Sequence, residues 1–298
     1  MFTSRKKPDR IHYLQDRTTE KLMLLPSMVV LIIISIFPIL YMLYISFFNY
    51  SISFDSPPFY FFKNWGKVFK NVDFWKSWYR TMIFYISGLS LEIILGVVFS
   101  LILFQITSFK NAILTLLMLP VFVAPIVAGL LGRYLLNSTY GFYAWLLQNM
   151  GYYSEVFGNP KTALLAIILI DVWEWTPLIT LIFFSGLQSM DTQPLEASTI
   201  DGARYFQKLR YIIFPLCSRS LLVAIMIRSM DIIRYIDTIS IITKGGPADS
   251  TKIAGWHLYE VAFRFQDFGQ SAVMAIVMLF ITIILGKLFV NLMDKDED

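Results

Sequence analysis

The chain has a single cysteine, Cys217, and only two histidines, His12 and His257, among its 298 residues. One cysteine excludes an intramolecular disulfide, and two distant histidines offer no metal-ligand cluster. Charged residues make up 15% of the sequence, whereas soluble globular proteins contain about one quarter. The sequence therefore argues against redox or zinc chemistry and against a soluble globule.

Hydrophobic residues supply 56% of the chain. Several apolar runs reach the roughly 20 residues that a helix needs to cross about 30 Å of hydrocarbon, where backbone polar groups must bond within the segment. The first run is too long for a cleaved signal peptide and should stay in the mature chain. We predict an all-α membrane protein with six transmembrane helices, at Leu22–Phe48, Thr81–Phe104, Ala112–Leu136, Ala163–Leu187, Ile212–Ile242 and Ser271–Val290.

Lysine and arginine residues beside the spans predict the orientation. The first 21 residues are basic and should form a cytoplasmic tail, with Arg5, Lys6, Lys7, Arg10, Arg17 and Lys21. Six spans within one domain, 22–293, then return an acidic tail, 294–298, to the cytoplasm. One loop conflicts with this pattern, because it would lie outside although it carries Lys63, Lys67, Lys70, Lys76 and Arg80.

A charged segment, "EASTIDGARYFQKLRYIIFPL", interrupts the apolar sequence at 196–216. Asp191 or Thr192 could cap a helix here, and Pro194 suits its first turn. Small residues near Gly202 would let another surface approach closely. The segment is therefore either a short helix on the membrane face or a solvated loop with interfacial charges.

The spacing of this segment resembles the EAA motif of bacterial ABC importer permeases, EAA-x3-G-x9-I-x-LP. Serine replaces the third alanine and phenylalanine replaces the leucine. The flanking "GLQSM", "TKGGP" and "FGQSA" resemble permeases of carbohydrate importers of the maltose-transporter type. The matching positions are Glu196, Ala197, Ser198, Gly202, Ile212 and Pro215.

This resemblance implies the type I importer permease fold, with a cytoplasmic coupling helix at about 191–206 that inserts into a separate ATPase. It implies a heterodimer with a second permease subunit, located in the bacterial cell membrane. The other implied partners are two ATPase subunits, an extracytoplasmic solute-binding protein and a saccharide substrate, and no nucleic acid is expected. The sequence has no phosphate loop of the form G-x-x-x-x-G-K-[ST]. We therefore expect no cofactor in this chain, with ATP and Mg bound by the partner ATPase. The implied coupling residues are Glu196, Ala197, Ser198, Asp201, Gly202, Ala203, Ile212 and Pro215.

Four charged residues lie inside the predicted fifth span: Arg228, Asp231, Arg234 and Asp237. Each is unfavourable by about 2.5–3.5 kcal/mol at the centre of a bilayer, so such residues are functional candidates. Arg228, Asp231 and Tyr235 share one side of the helix and predict a polar stripe lining a wet pathway. The alternative is self-neutralisation, because opposite charges stand three residues apart.

The fourth span contributes the acids of "DVWEWTPL", Asp171 and Glu174, for which the alternative is a proline-kinked helix with buried acids. Glu92 and Arg133 are expected to be packing or interfacial groups. If Arg228 meets a carboxylate, the cargo is an acidic saccharide. The resemblance places the substrate pathway at Glu174, Trp175, Leu178, Arg228, Asp231, Ile232 and Tyr235.

Three functions compete at this point. The favoured one is a permease subunit that is not itself an enzyme. An ion-coupled secondary transporter would use the buried acids as titrating groups, but it predicts internal repeats and leaves the charged segment unexplained. A membrane enzyme needs a cluster of acids, histidines or metal ligands at the membrane face, which the sequence does not show.

Overall fold

The computed structural model describes residues 17–51, 57–151 and 155–295. Most of the predicted basic tail and the last three residues of the acidic tail lie outside these ranges. Every regular element in the described ranges is helical, apart from two isolated bridges. The helices are α1 Arg17–Ser46, α2 Lys63–Lys70, α3 Val72–Gln105, α4 Lys110–Met118, α5 Pro125–Leu135, α6 Phe142–Asn149, α7 Pro160–Ser189, α8 Gln193–Ile200, α9 Tyr205–Lys208, α10 Phe214–Ile233, α11 Asp237–Ile242, α12 Ala254–Tyr259 and α13 Phe268–Lys295.

Five segments of the described chain are long and apolar enough to cross a membrane, at Met23–Ser46, Val72–Gln105, Pro160–Ser189, Tyr205–Ile242 and Phe268–Asp294. They coincide with five of the six predicted spans. The fourth of them combines α9, a π-helical turn, α10 and α11. The prediction of an all-helical membrane protein is confirmed.

The third predicted span differs from a straight helix. α4 and the 3-10 turn after it meet α5 at an angle of 93°. Pro125 explains the break, because proline has no N–H to donate and favours an extended conformation in the preceding residue, whereas Pro120 lies within the 3-10 turn that follows α4. Ala124, just before Pro125, has that conformation, with φ −63° and ψ 137°. The two halves together form either one broken span or a re-entrant segment.

The centre of the bundle is the crossing of α3 and α7, with α10 packed against both. At Gly96 an added Cβ would lie 2.7 Å from Cγ2 of Ile179, so the two backbones approach as only a glycine allows. Nearby, the Ser100 hydroxyl donates to the Thr180 carbonyl at 2.8 Å. Small residues thus bring α3 and α7 close enough for side chains beyond this point to meet across the interface.

α1 is different, because none of its most apolar stretch is buried within the chain. Only its end is covered, at Ile45 and Ser46, where it meets α2 and α13. So large an apolar surface requires lipid or another protein chain to cover it.

The two ends of α3 lie at opposite faces of the membrane. α3 has 34 residues and is therefore about 51 Å long at about 1.5 Å per residue. α2 leads into its first turn, whereas Gln105 at its last turn donates to the Tyr205 hydroxyl of α9 at 3.5 Å. α2 and the α8–α9 segment consequently lie on opposite faces of the membrane.

Candidate functional site

The start of the EAA motif, Glu196, Ala197 and Ser198, lies in α8, and local chemistry explains both ends of this helix. The Asp191 carboxylate accepts a hydrogen bond from the Gln193 N–H at 3.0 Å, and Pro194 occupies the first turn. At the other end the Ala203 N–H donates to the Ser198 carbonyl at 2.9 Å, and the Gly202 N–H donates to the Thr199 carbonyl at 3.2 Å. This pair of bonds is a Schellman motif, which needs a left-handed residue after the helix. Gly202 supplies it, with φ +76°.

One side of α8 is anchored and the other is free of the rest of the described chain. Leu195 packs on an apolar cluster that includes Phe183, Leu187 and Ile213. Ile200 on the outer side is 88% exposed. α8 is therefore packed against the bundle on its inner side and exposed on its outer side.

The predicted coupling residues fall on both sides of this helix and beyond it. Glu196, Ala197, Asp201, Gly202 and Pro215 are exposed, Ala203 and Ile212 are half-buried, and Ser198 is buried. Ser198 donates to the Leu195 carbonyl at 2.7 Å and contributes to the seating of the helix, not to its outer surface.

A buried charge cluster joins the three central helices. Arg228 of α10 donates to both carboxylate oxygens of Glu92 in α3, at 2.7 and 2.6 Å, and to Asp171 of α7, at 2.8 Å. The arginine side chain is 1% exposed and the two acids are fully buried. Bidentate pairing of this kind fixes geometry as well as charge. Arg228 therefore ties α3, α7 and α10 together in this arrangement.

Two predicted pathway residues of α7 border the cluster. The Trp175 ring lies 4.9 Å from the Arg228 guanidinium, within cation–π range. Glu174 is fully buried, and neither of its carboxylate oxygens has a hydrogen-bond partner in the described part of the chain. Leu178, one turn further along, is half-buried. An unpartnered buried carboxyl is uncommon and marks a place where a proton, water or ligand can be held.

The remaining pathway residues divide between the inside and the outside of the bundle. Ile232 is buried, and so is Tyr235, whose ring stacks on Phe84 at 4.9 Å between centroids. Asp231 is partly exposed and pairs with Arg234 at 2.6 Å, and Arg234 is 70% exposed. The local ion pairs considered from the sequence thus occur at Asp231 and Arg234, whereas Arg228 is paired across helices.

Sequence reasoning did not connect Glu92 with Arg228. The expectation that Glu92 packs between helices agrees with its burial, but its partner is 136 positions away. One signal was present: Glu92 is the one acid of its predicted span, and an acid and an arginine in two spans have a reason to meet, because burial of either charge alone in lipid is unfavourable. Arg133 lies at the end of α5 and donates to the Ile241 carbonyl at 3.1 Å.

A separate cavity of about 610 Å³ lies between α5, α6 and α7. Its wall is almost entirely apolar, with Leu131, Leu169, Ile170 and Trp173 among the lining residues. None of the predicted pathway residues lines it. An apolar wall of this kind suits hydrocarbon chains better than hydroxyl-rich solutes.

Residues 1–297 match the model of the family described as "Binding-protein-dependent transport system inner membrane component". The chain belongs to this family. This permease is 32% identical over 254 residues to the trehalose/maltose transport system permease protein MalF of Thermococcus litoralis, covering 85% of this chain and 84% of that protein. It is 25% identical over 281 residues to the sulfoquinovosyl glycerol transport system permease protein SmoG of Agrobacterium fabrum, covering 94% and 91%.

Among solved structures, the permease is similar to a chain of the crystal structure of a bacterial ABC transporter involved in the import of the acidic polysaccharide alginate. The TM-score is 0.81, the sequence identity is 16%, and the match covers 94% of this chain and 96% of that chain. This likeness confirms the predicted importer permease fold. Together with the family it favours a permease of an ABC importer over an ion-coupled secondary transporter or an enzyme.

Proposed function

We propose that this permease forms half of the translocation pathway of a saccharide importer in the cytoplasmic membrane. A second permease subunit would form the other half, two ATPase subunits would bind and hydrolyse Mg-ATP, and an extracytoplasmic solute-binding protein would deliver the cargo. The sugar-related names of the relatives support the cargo class. The outer surface of α8 is the observation that carries the mechanism.

α8 has the properties of a docking helix that could transmit movement from an ATPase. Its inner side is anchored at Leu195 on the apolar cluster, so a displacement of α8 must move α7 and α10 as well. Its outer side exposes Glu196 and Asp201 beside an apolar Ile200, which suits a cleft with basic and apolar walls. Both termini are then cytoplasmic, and α2 faces the outside.

Substitutions on the outer surface of α8 test this proposal. Ile200→Asp and Glu196→Lys should reduce co-purification of the ATPase and the transport that depends on it. Loss of one buried apolar side chain removes about 1.5–3 kcal/mol, which corresponds to a tenfold or greater loss of affinity. Asn111→Lys is the matched control, since Asn111 is exposed at the same end of the bundle. Normal ATPase binding by both α8 variants would refute the coupling assignment.

The exposed charges of α10 and α11 support a polar pathway on their side of the bundle. Asp231, Arg234 and Asp237 are partly or fully exposed although they lie within a membrane-spanning segment. Lipid contact at such positions is unfavourable, so this side should face a wet pathway or the second permease. The break between α10 and α11 adds unwound backbone beside these charges, as at binding sites of other transporters.

The charge of the cargo depends on which arginine it meets. Arg228 is already engaged by two carboxylates of the protein, whereas Arg234 is exposed and has one partner. We therefore assign contact with an acidic saccharide to Arg234. Uptake of uronate-containing and neutral oligosaccharides by Arg234→Gln should differ, with only the acidic cargo affected. Equal uptake of both by this variant, at the wild-type rate, would exclude that contact.

A further inference from the structure

A basic and aromatic surface lies on the membrane face opposite α8. It consists of α2 and the first turns of α3. One acid, Asp73, stands among its five cations, Lys63, Lys67, Lys70, Lys76 and Arg80. Lysine and arginine are usually sparse on the outer side of a membrane protein. The concentration of positive charge here therefore needs a reason of its own.

The fold holds α2 in place against the end of α1. Nδ2 of Asn64 donates to the backbone carbonyls of Ser46 and Phe48, at 2.9 and 2.7 Å. Nε1 of Trp65 lies 3.4 Å from the Ser46 hydroxyl. Asn64 and Val68 are buried beneath the helix. The other side of α2 is thus presented outward from a fixed position at the end of a transmembrane helix.

The length of α3 places this surface at the level of the lipid headgroups. α3 is about 51 Å long, about 20 Å more than the hydrocarbon thickness. It begins at residue 72 and not near 81 as predicted, so the added turns project on the α2 side. Those turns carry Trp75 and Tyr79, which are 54% and 69% exposed. Exposed tryptophan and tyrosine are typical of the membrane interface.

Two lysines of α2 stand over a half-buried aromatic ring, and further rings at the ends of the helix are exposed. Nζ of Lys63 and Nζ of Lys67 lie over the same ring, that of Tyr60, at 5.2 and 5.0 Å from its centroid. Phe62 and Phe69 are exposed at the two ends of the helix. An amphipathic helix with basic and aromatic residues binds in the interface, where rings enter the acyl boundary and ammonium groups meet phosphates.

We propose that α2 and the first turns of α3 bind anionic phospholipid headgroups, with Lys63, Lys67 and Lys70 as the principal phosphate contacts. Opposite charge, the interfacial depth and the exposed aromatic rings all favour a lipid surface over a soluble protein. The placement in the outer leaflet rests on the proposed orientation, whereas lipid binding itself rests on the geometry of α2 and the first turns of α3. The lipid would hold α2, and through Asn64 the end of α1, at a fixed depth.

The test uses the assembled transporter in nanodiscs that contain phosphatidylglycerol and phosphatidylcholine in equal amounts. The variant is Lys63→Gln, Lys67→Gln and Lys70→Gln together, and the readout is the ratio of the two lipids retained after delipidating purification. Each cation near an anionic surface contributes roughly a fivefold preference, so the triple variant should lose phosphatidylglycerol enrichment by tenfold or more. The corresponding arginine triple variant should keep it.

Lys161→Gln is the matched control, because Lys161 is an exposed cation at the start of α7, on the same membrane face. Its lipid ratio should equal that of the wild type. Unchanged enrichment in the glutamine triple variant, or equal loss in the Lys161 control, would overturn the proposal. Unchanged enrichment with lost binding of the solute-binding protein would assign the surface to that protein instead. Ile200→Asp, which tests ATPase docking, should leave the lipid ratio unchanged. Failure of the coupling proposal can therefore be distinguished from failure of the lipid-binding proposal.

Discussion

Replacing Arg228 by methionine should destabilise the permease more than any other single change in its membrane core. The substitution keeps most of the side-chain length but removes the three hydrogen bonds to Glu92 and Asp171. Both acids would then be buried without a cation, in a place where neither is accessible to water. The stability of this variant therefore measures how much the charge cluster contributes to the folded state.

The magnitude follows from the burial of all three groups. Removing one partner of a buried ion pair typically destabilises a protein by about 3–5 kcal/mol, because the remaining charge is left without compensation. Glu92→Gln should have the next largest effect, since Glu92 accepts two of the three bonds. Asp171→Asn should have the smallest, because Arg228 keeps its bidentate partner. Replacing all three residues by Met, Gln and Asn together should recover much of the loss.

Thermal unfolding of the purified assembly, followed by size-exclusion chromatography after heating, measures the order of these effects. We expect the Arg228→Met variant to melt lower by on the order of 10 °C, and the triple variant to melt closer to the wild type. If Arg228→Met melted within about 2 °C of the wild type but lost transport, the reasoning would be refuted. Cargo, and not Glu92 and Asp171, would then be the main partner of Arg228.

Three further predictions concern single positions. Gly96→Ala should lower the melting temperature, because its Cβ meets Ile179 at 2.7 Å, whereas Gly88→Ala should not, because the nearest atom is 3.8 Å away. Gly202→Val should weaken ATPase coupling through backbone strain at φ +76°, while Gly202→Asn, which tolerates that conformation, should restore it in a transport assay. Burial and the nearby Lys252 lower the pKa of His257 below its ordinary value of 6.5. The unfolded chain then binds the proton more readily, so stability should fall as pH drops below about 6.5, and His257→Gln should remove that pH dependence in thermal melts.

α8 shows how far a local motif can be interpreted. The cap at Asp191, the proline in the first turn and the left-handed glycine are contacts within a few residues, so their types and spacing predict α8 well. The burial of Ser198 was not predictable in the same way. It depends on how Leu195 packs against α7 and the start of α10, and the angle at which the chain turns back onto those helices is a tertiary property that the motif itself does not state.

In the bent α4–α5 segment, by contrast, residues close together in the chain did not suffice to predict the local structure. Its composition satisfies the requirement for a span, and on that basis one transmembrane helix was predicted at Ala112–Leu136. Pro120 and Pro125 were visible in the sequence, but a proline inside an apolar run can kink a helix slightly or break it. The packing of α5 on α11 accompanies the break here, with Gly129 held against Thr238.

By itself the sequence determined the membrane class, five of the spans, the helix α8 and the family, because these follow from hydrophobic length and from residues close together in the chain. Only the tertiary structure decided which charges meet. Arg228, Glu92 and Asp171 come from three helices, and nothing in the spacing within one helix indicates how the others are rotated or at what depth they cross. The packing of α10 against α3 and α7, which approach closely at Gly96, brings the acids to Arg228 and leaves Arg234 outside.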